Sequence, residues 1–197
     1  SQRITDVLLT AFRGFLTDRG YLEFQPPCVI ASASEGGADL FMLPYFEKQA
    51  YLAQSPQLYK QIMVGVFERV FEVGPVFRAE PHSTTRHINQ YTSLDAELGF
   101  IQDHTDVMVV LTNVVRHILT TTSQRYAHEL ATLGATAPAV ADHIPAIKFR
   151  EAQQNILEQF GEDCRNETDL APQHERWLCQ WAEETYGSEL LFVTHYP

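Results

Sequence analysis

Three observations predict an α+β fold on a mainly antiparallel sheet flanked by helices. Strand-like runs crowd the first half, two of them form a hairpin around a long polar loop, and several amphipathic helix patterns surround them. Ile4, Val7, Leu8, Ala11, Phe12, Phe15 and Leu16 recur at helical spacing, and Gly20 follows as a stop. Residues 21–30 read as an extended segment broken by Pro26 and Pro27, and residues 31–39 as a polar loop carrying Glu35, Gly36 and Gly37. Residues 50–53 read as a short strand. Ser55 and Pro56 then open a helix, Ser at the N-cap and Pro at the first helical position, with Leu58, Ile62, Met63 and Val66 on its inner face. Residues 69–77 and 91–100, rich in Val, Phe and Leu, are the hairpin strands, and 79–90 is the loop between them. From Thr105 a pattern through Val107, Leu111, Val114, Ile118 and Leu119 runs towards Leu133 as the longest helix. Residues 149–160 and 172–186 give two further helices, and 190–194 a final strand.

With 197 residues the chain suits one domain, 1–197, with a single hydrophobic core. Its 45% apolar and 20% charged residues are the balance of an ordinary soluble globular protein. No apolar run nears the ~20 residues of a membrane span, and nothing at the N-terminus reads as a signal peptide. The chain starts at Ser1 without an initiator Met and stops at Pro197 just after an apolar stretch, so it reads as an excised piece. Cys28, Cys164 and Cys179 are widely spaced and odd in number, which points to reduced, inert thiols in a cytoplasmic protein rather than to disulfides or a metal set. The net charge of −11 argues against a main nucleic-acid grip here, so phosphates must be met by a few local cations.

The hairpin carries the most chemistry, because strand alternation assigns each residue to a face. Leu94, Ala96 and Leu98 point one way, into a core, while Tyr91, Ser93, Asp95 and Glu97 point the other. On the incoming strand Arg78 and Glu80 share a face, and the loop adds His82, Arg86 and His87. A guanidinium beside a loop of cations suits a polyphosphate, an aromatic ring suits a purine, and carboxylates suit an ammonium group or a metal ion. The plain alternative is a solvated sheet face with alternating charges. Gln54, Ser55, Pro56 and Gln57 lead to Lys60 about one turn into the helix, so Gln54 and Lys60 can border one cavity. Buried there, Lys60 is a point charge for a substrate carboxylate; otherwise it is a surface Lys on a capped helix. No HExxH, GxGxxG, Walker loop or nucleophilic Ser elbow is present.

Taken together, these stretches resemble the class II aminoacyl-tRNA synthetases, most closely the archaeal-type aspartyl-tRNA synthetases and their bacterial relatives. The segment around Gly20 to Ile30 with Pro27 is similar to motif 1, the dimer-interface element. The run from Val70 to Glu80, with Arg86, His87 and Tyr91 to Glu97, is similar to motif 2, and Tyr51 to Gln61 to the aspartyl signature. The resemblance implies that Arg78 contacts the ATP α-phosphate and the amino-acid carboxylate, that Glu80 reads the adenine edge, and that Tyr91 stacks on the base. It implies Arg86 and His87 at the outer phosphates, Glu35, Gln54 and Asp95 around the aspartate ammonium with Ser93 beside them, and Lys60 at the side-chain carboxylate. Gln57 belongs to the same aspartate-binding signature. The implied chemistry is attack of aspartate on the α-phosphorus, giving aspartyl-adenylate and pyrophosphate, then transfer to tRNA-Asp, with tRNA-Asn left open. ATP and Mg2+ are implied as co-substrate and cofactor, with the metal ligands expected mainly outside this segment, and a homodimer as the assembly.

Gln90 stands where relatives usually carry Glu, and Thr85 where archaeal members often carry a second Arg. Motif 3 with its ATP-binding Arg, the later acidic metal ligands and the anticodon-binding barrel fall outside the segment, so the isolated piece is expected to be inactive. Two other functions remain open on this reading: a non-catalytic paralogue or dimerisation module, and an aspartate-dependent amide synthetase on the same fold.

Overall fold

The computed structural model describes residues 2–32, 40–79 and 88–197. The chain forms two compact units, Ser1–Val107 and Met108–Pro197. The first comprises α1 (Gln2–Thr17), β1 (Leu22–Glu23), β2 (Val29–Ile30), β3 (Met42–Tyr45), β4 (Lys48–Leu52), α2 (Gln57–Phe67), β5 (Arg69–Phe77) and β6 (Gln90–Leu98). Helix α3 (His104–Arg125) starts there and continues into the second unit, followed by α4 (Ala127–Thr132), β7 (Ala146–Lys148), α5 (Phe149–Phe160), α6 (Pro172–Tyr186) and β8 (Phe192–Thr194).

In α1 the expected stripe does the packing: Val7, Ala11, Phe12, Phe15 and Leu16 are buried. The helix ends where the sequence places its stop. Gly20 takes φ 78°, open to a residue without a Cβ, and the N–H of Tyr21 returns to the carbonyl of Leu16 at 3.1 Å. The chain then runs parallel to β5, Leu22 opposite Val70, and Phe24 N–H donates to the Phe71 carbonyl at 3.0 Å. Phe12 meets the fully buried Phe71 edge to face, centroids 5.8 Å apart. This aromatic contact and its apolar neighbours are the core of the first unit.

Among the described residues the hairpin is the longest ladder: β5 and β6 pair antiparallel from Arg69–Leu98 to Phe77–Gln90. Among the described residues the sheet order is β1-β5-β6, so β6 lies at an edge, while β4 pairs antiparallel with β2 and β3 in a second sheet. In the second unit β7 and β8 pair in parallel. Its core is Phe149, Ala152, Ile156, Cys164, Leu170 and Leu178. Loop and helices are pinned there by Gln153, whose amide donates to the carbonyls of Cys164 and Glu167 at 2.5 and 3.0 Å. None of the three cysteines is joined in a disulfide.

Several sequence expectations need correction. The inner face expected for α2 is reversed: Leu58, Ile62 and Val66 are exposed, and the buried residue of the helix is Lys60. Pro56, not Ser55, is its N-cap, and Ser55 Oγ instead accepts the Gln57 N–H at 3.2 Å. Leu94 faces away from the polar side as parity requires, yet it is 38% exposed. Helix α1 covers the central β5, where Phe71 and Val73 are buried, and the edge strand gains less cover. The second hairpin strand starts one residue early and stops at Leu98; Phe100 lies beyond it at φ 58°, strongly exposed. The single helix expected towards Leu133 breaks at Tyr126. In the turn before the break, Thr122 and Ser123 hydroxyls bond back to Ile118 and Leu119 carbonyls at 2.8 Å, which weakens a helix end. Strands β3 and β7 went unread, being short and set beside turns.

Two side chains on the same sheet face separate core from edge. Phe71→Ala is expected to cost about 3–5 kcal/mol in urea unfolding, and Leu94→Ala under about 1 kcal/mol.

Candidate functional site

Direct pairing in an antiparallel ladder places opposed residues on one face. In the register Val70–Glu97, Glu72–Asp95, Gly74–Ser93 and Val76–Tyr91, one face therefore carries Glu72, Tyr91, Ser93, Asp95 and Glu97. Arg78 follows two residues after Val76, with its N–H on the Asn89 carbonyl at 3.0 Å, so alternation sets it on this same face. The opposite face holds Phe71, Val73, Leu94, Ala96 and Leu98.

Helix α2 supplies the cation. Its first turn is closed by Lys60 N–H on the Pro56 carbonyl at 2.8 Å, which fixes where the side chain leaves the helix. Only 7% exposed, Lys60 donates from Nζ to Asp95 Oδ1 at 2.9 Å and lies 3.5 Å from Glu97 Oε2. The Ser93 hydroxyl donates to the other Asp95 oxygen, Oδ2. Asp95 is thereby held at both oxygens, a rigid charge-assisted arrangement bridging helix and strand. The far end of α2 is tied to the same sheet, since Gly99 N–H reaches the Glu68 carbonyl at 2.8 Å.

Gln54 reaches the site through the backbone. Ala53 accepts the Phe77 N–H at 2.9 Å and donates to the Cys28 carbonyl at 2.8 Å, so fully buried Gln54 starts beside the end of β5 and Arg78. Half-buried Gln57 opens α2 one turn ahead of Lys60. The structure thus joins Lys60, Ser93 and Asp95 directly, ranges Tyr91 and Arg78 along the same face, and brings Gln54 in by the chain. Glu35, Glu80, Arg86 and His87 lie outside the described residues, as does His82.

One residue of this face went unread in the sequence. Glu72 is 4% exposed, opposite Asp95, and Oε2 has no hydrogen-bond partner among the described residues. Its carboxyl folds over Gly74, where a Cβ would lie 1.7 Å from Oε1. Burial first, then the charges of Asp95 and Glu23, push its pKa up to about 7, against the pull of Arg13 and Lys60. The sign available was simple: it is the single charged residue inside the otherwise apolar run Val70–Phe77, at a parity shared with Arg78. Among the described residues, no three His, Cys, Asp or Glu side chains converge as metal ligands, and no helix is long and apolar enough to cross a membrane.

Comparison with known proteins gives a consistent result. The family model "tRNA synthetases class II (D, K and N)" matches residues 3–197. The chain is 49% identical to an aspartate–tRNA(Asp/Asn) ligase of Deinococcus radiodurans over 190 residues, covering 96% of this chain and 43% of that protein. It is 45% identical to the corresponding ligase of Thermus thermophilus, covering 99% of this chain and 46% of that one. The asparaginyl-tRNA synthetase of Pyrococcus horikoshii, solved with asparaginyl-adenylate, superposes at TM-score 0.89 and 31% identity, covering all of this chain and 44% of that one. The chain therefore spans rather under half the length of the relatives it matches.

The raised acid has a stability signature. An unfolded glutamate loses its proton near its ordinary 4.5, whereas folded Glu72 keeps it to about 7, so this group's contribution falls as pH rises between the two. Glu72→Gln should gain on the wild type between pH 5 and 8, by on the order of 2 kcal/mol after allowing for solvent screening. Thermal unfolding across that range checks it.

Proposed function

The chain belongs to the class II tRNA synthetase (D, K and N) family, and from that premise we infer that it forms the aspartate-activating part of an aspartate–tRNA ligase. The observation that carries this reading is Lys60: a buried ammonium, held between Asp95 and Glu97, on the face that also bears Arg78 and Tyr91. A buried ammonium suits a carboxylate side chain better than a carboxamide, since only the former gains a charge-assisted bond.

In this reading the aspartate side chain meets Lys60, which Asp95 and Ser93 hold in position. Asp95 accepts one bond on each oxygen and so orients Lys60 while keeping acceptor capacity for the substrate ammonium. Gln54, Gln57 and Glu35 receive the ammonium with it. Arg78 spans the amino-acid α-carboxylate and the α-phosphate of ATP, bringing two anions together and neutralising charge that builds at the phosphorus during in-line attack. Tyr91 offers the adenine a stacking face, Glu80 its polar edge, and Arg86 and His87 meet the outer phosphates. No protein nucleophile is required; the products are aspartyl-adenylate and pyrophosphate, and the aspartyl group then passes to the 3′ end of tRNA. Mg2+, when bound, would supply charge neutralisation at the triphosphate. The described residues do not fit a three-ligand metal site of their own, and no step above runs through one. A second copy of the chain completes the reading, with α1 and the segment around Pro27 as the pairing surface.

Lys60→Ala is expected to raise the aspartate KM about 10- to 100-fold, from the loss of one charge-assisted bond, and to move the ATP KM less than about threefold. Arg78→Ala should lower kcat by about 100-fold or more. Aspartate-dependent ATP–pyrophosphate exchange in the complete gene product measures both. Equal effects of Lys60→Ala on the two substrates would overturn the assignment.

A further inference from the structure

The charges around Lys60 raise a difficulty for any carboxylate ligand. Facing its ammonium on this side of the sheet are Asp95 and Glu97 from β6 and Glu72 from β5, with the Arg78 guanidinium as the second cation farther along the same face. Beyond them lie Glu23 on β1 and Arg13 on α1, themselves paired at 3.0 Å. With all three carboxyls ionised, the group around Lys60 carries a net negative charge and would repel an incoming aspartate. Asp95 and Glu97 each hold a position by contact with Lys60. Glu72 does not: it is buried, makes no hydrogen bond among the described residues through Oε2, and lies folded over Gly74 on the same sheet face, opposite Asp95. A buried carboxyl without a donor is a costly place for a charge and a natural place for a proton.

We propose that Glu72 is a specificity-determining residue of the aspartate pocket: by carrying or releasing one proton, its carboxyl decides whether Lys60 is available to a ligand carboxylate. The proposal rests on the aspartate-binding reading above and deepens it. In the neutral form Glu72 leaves the cations Lys60 and Arg78 balanced against Asp95 and Glu97 on this face. In the ionised form it adds a third negative charge within the reach of strand neighbours, roughly 5 Å between opposed Cβ atoms, where interactions are weakly screened. An asparagine side chain, lacking a charge, is indifferent to the change. The protonation of Glu72 therefore separates acid from amide. Linkage runs the other way as well. A bound aspartate carboxylate favours the neutral form, so binding near pH 7 to 8 takes up a proton from solvent.

The test uses the complete gene product, with wild type, Glu72→Gln and Glu72→Met, the last keeping length without a titrating group. In ATP–pyrophosphate exchange the wild-type aspartate KM is expected to rise about tenfold from about pH 6 to about pH 8.5. Inhibition by asparagine should stay level, and both variants should hold their aspartate KM within about twofold over that range. Calorimetry of aspartate binding in buffers of differing ionisation enthalpy should show proton uptake in wild type and none in either variant. A structural role alone would shift stability or kcat and leave the variants with the wild-type pH profile; that outcome, or absent uptake in wild type, overturns the proposal. Aspartate failing to engage the wild type at any pH would sink the aspartate reading itself, and this proposal with it.

Discussion

The contact between Lys60 and Asp95 ties helix α2 to the hairpin, and the polar face of the first unit is arranged around it. It joins a helix to a sheet through two ionised groups, one of them almost wholly buried. Taking such a pair out of water is expensive, and the attraction between the charges offsets this only when geometry is tight and the other polar atoms are satisfied. Here the geometry is tight: 2.9 Å from Nζ to Oδ1, with a serine hydroxyl on the second oxygen and another carboxylate at 3.5 Å. The pair adds little to stability compared with a leucine in the same space. It confers direction instead, because α2 cannot rotate about its axis without stranding a charge. That explains why its one buried side chain is a lysine while Leu58, Ile62 and Val66 stay outside.

The second unit works by other means. Its apolar residues converge on Phe149 and Ile156, and its loop is tied by side chains acting on backbone carbonyls. His174, buried, takes the Ala171 N–H on Nδ1 at 3.1 Å and faces Glu162 through Nε2 at 2.8 Å. This fixes the start of α6 where no side-chain hydroxyl or carboxylate is available to cap it. Phe160 and Trp177 stack at 4.8 Å to link α5 with α6. These groups serve structure, and every residue given a part in catalysis lies in the first unit.

How much of this was legible depended on which force decided each position. Where hydrophobic burial alone decided, as along α1, the helical period read through to the buried stripe almost residue by residue. The face of the hairpin was legible as well, because parity is a property of the backbone and needs no knowledge of partners. Reading failed where a polar interaction overrode the apolar period. In α2 the apolar positions pointed one way and the ion pair pulled the other. It failed again where burial depended on rank within the sheet, since Leu94 and Val73 oppose one another on one face while only Val73 is buried. Glu72 escaped notice because a lone acid in an apolar strand gains its meaning from Asp95 across the ladder, a pairing that strand pattern alone does not fix.

The folding of the Glu72 carboxyl over Gly74 couples two positions of one strand. A methyl group at position 74 would occupy the space that the acid fills. A residue larger than glycine there requires the carboxyl, the far end of a flexible side chain, to swing aside and give up its place beside Asp95. With a shorter residue at position 72 that crowding is gone, so the effects of changing the two positions do not add.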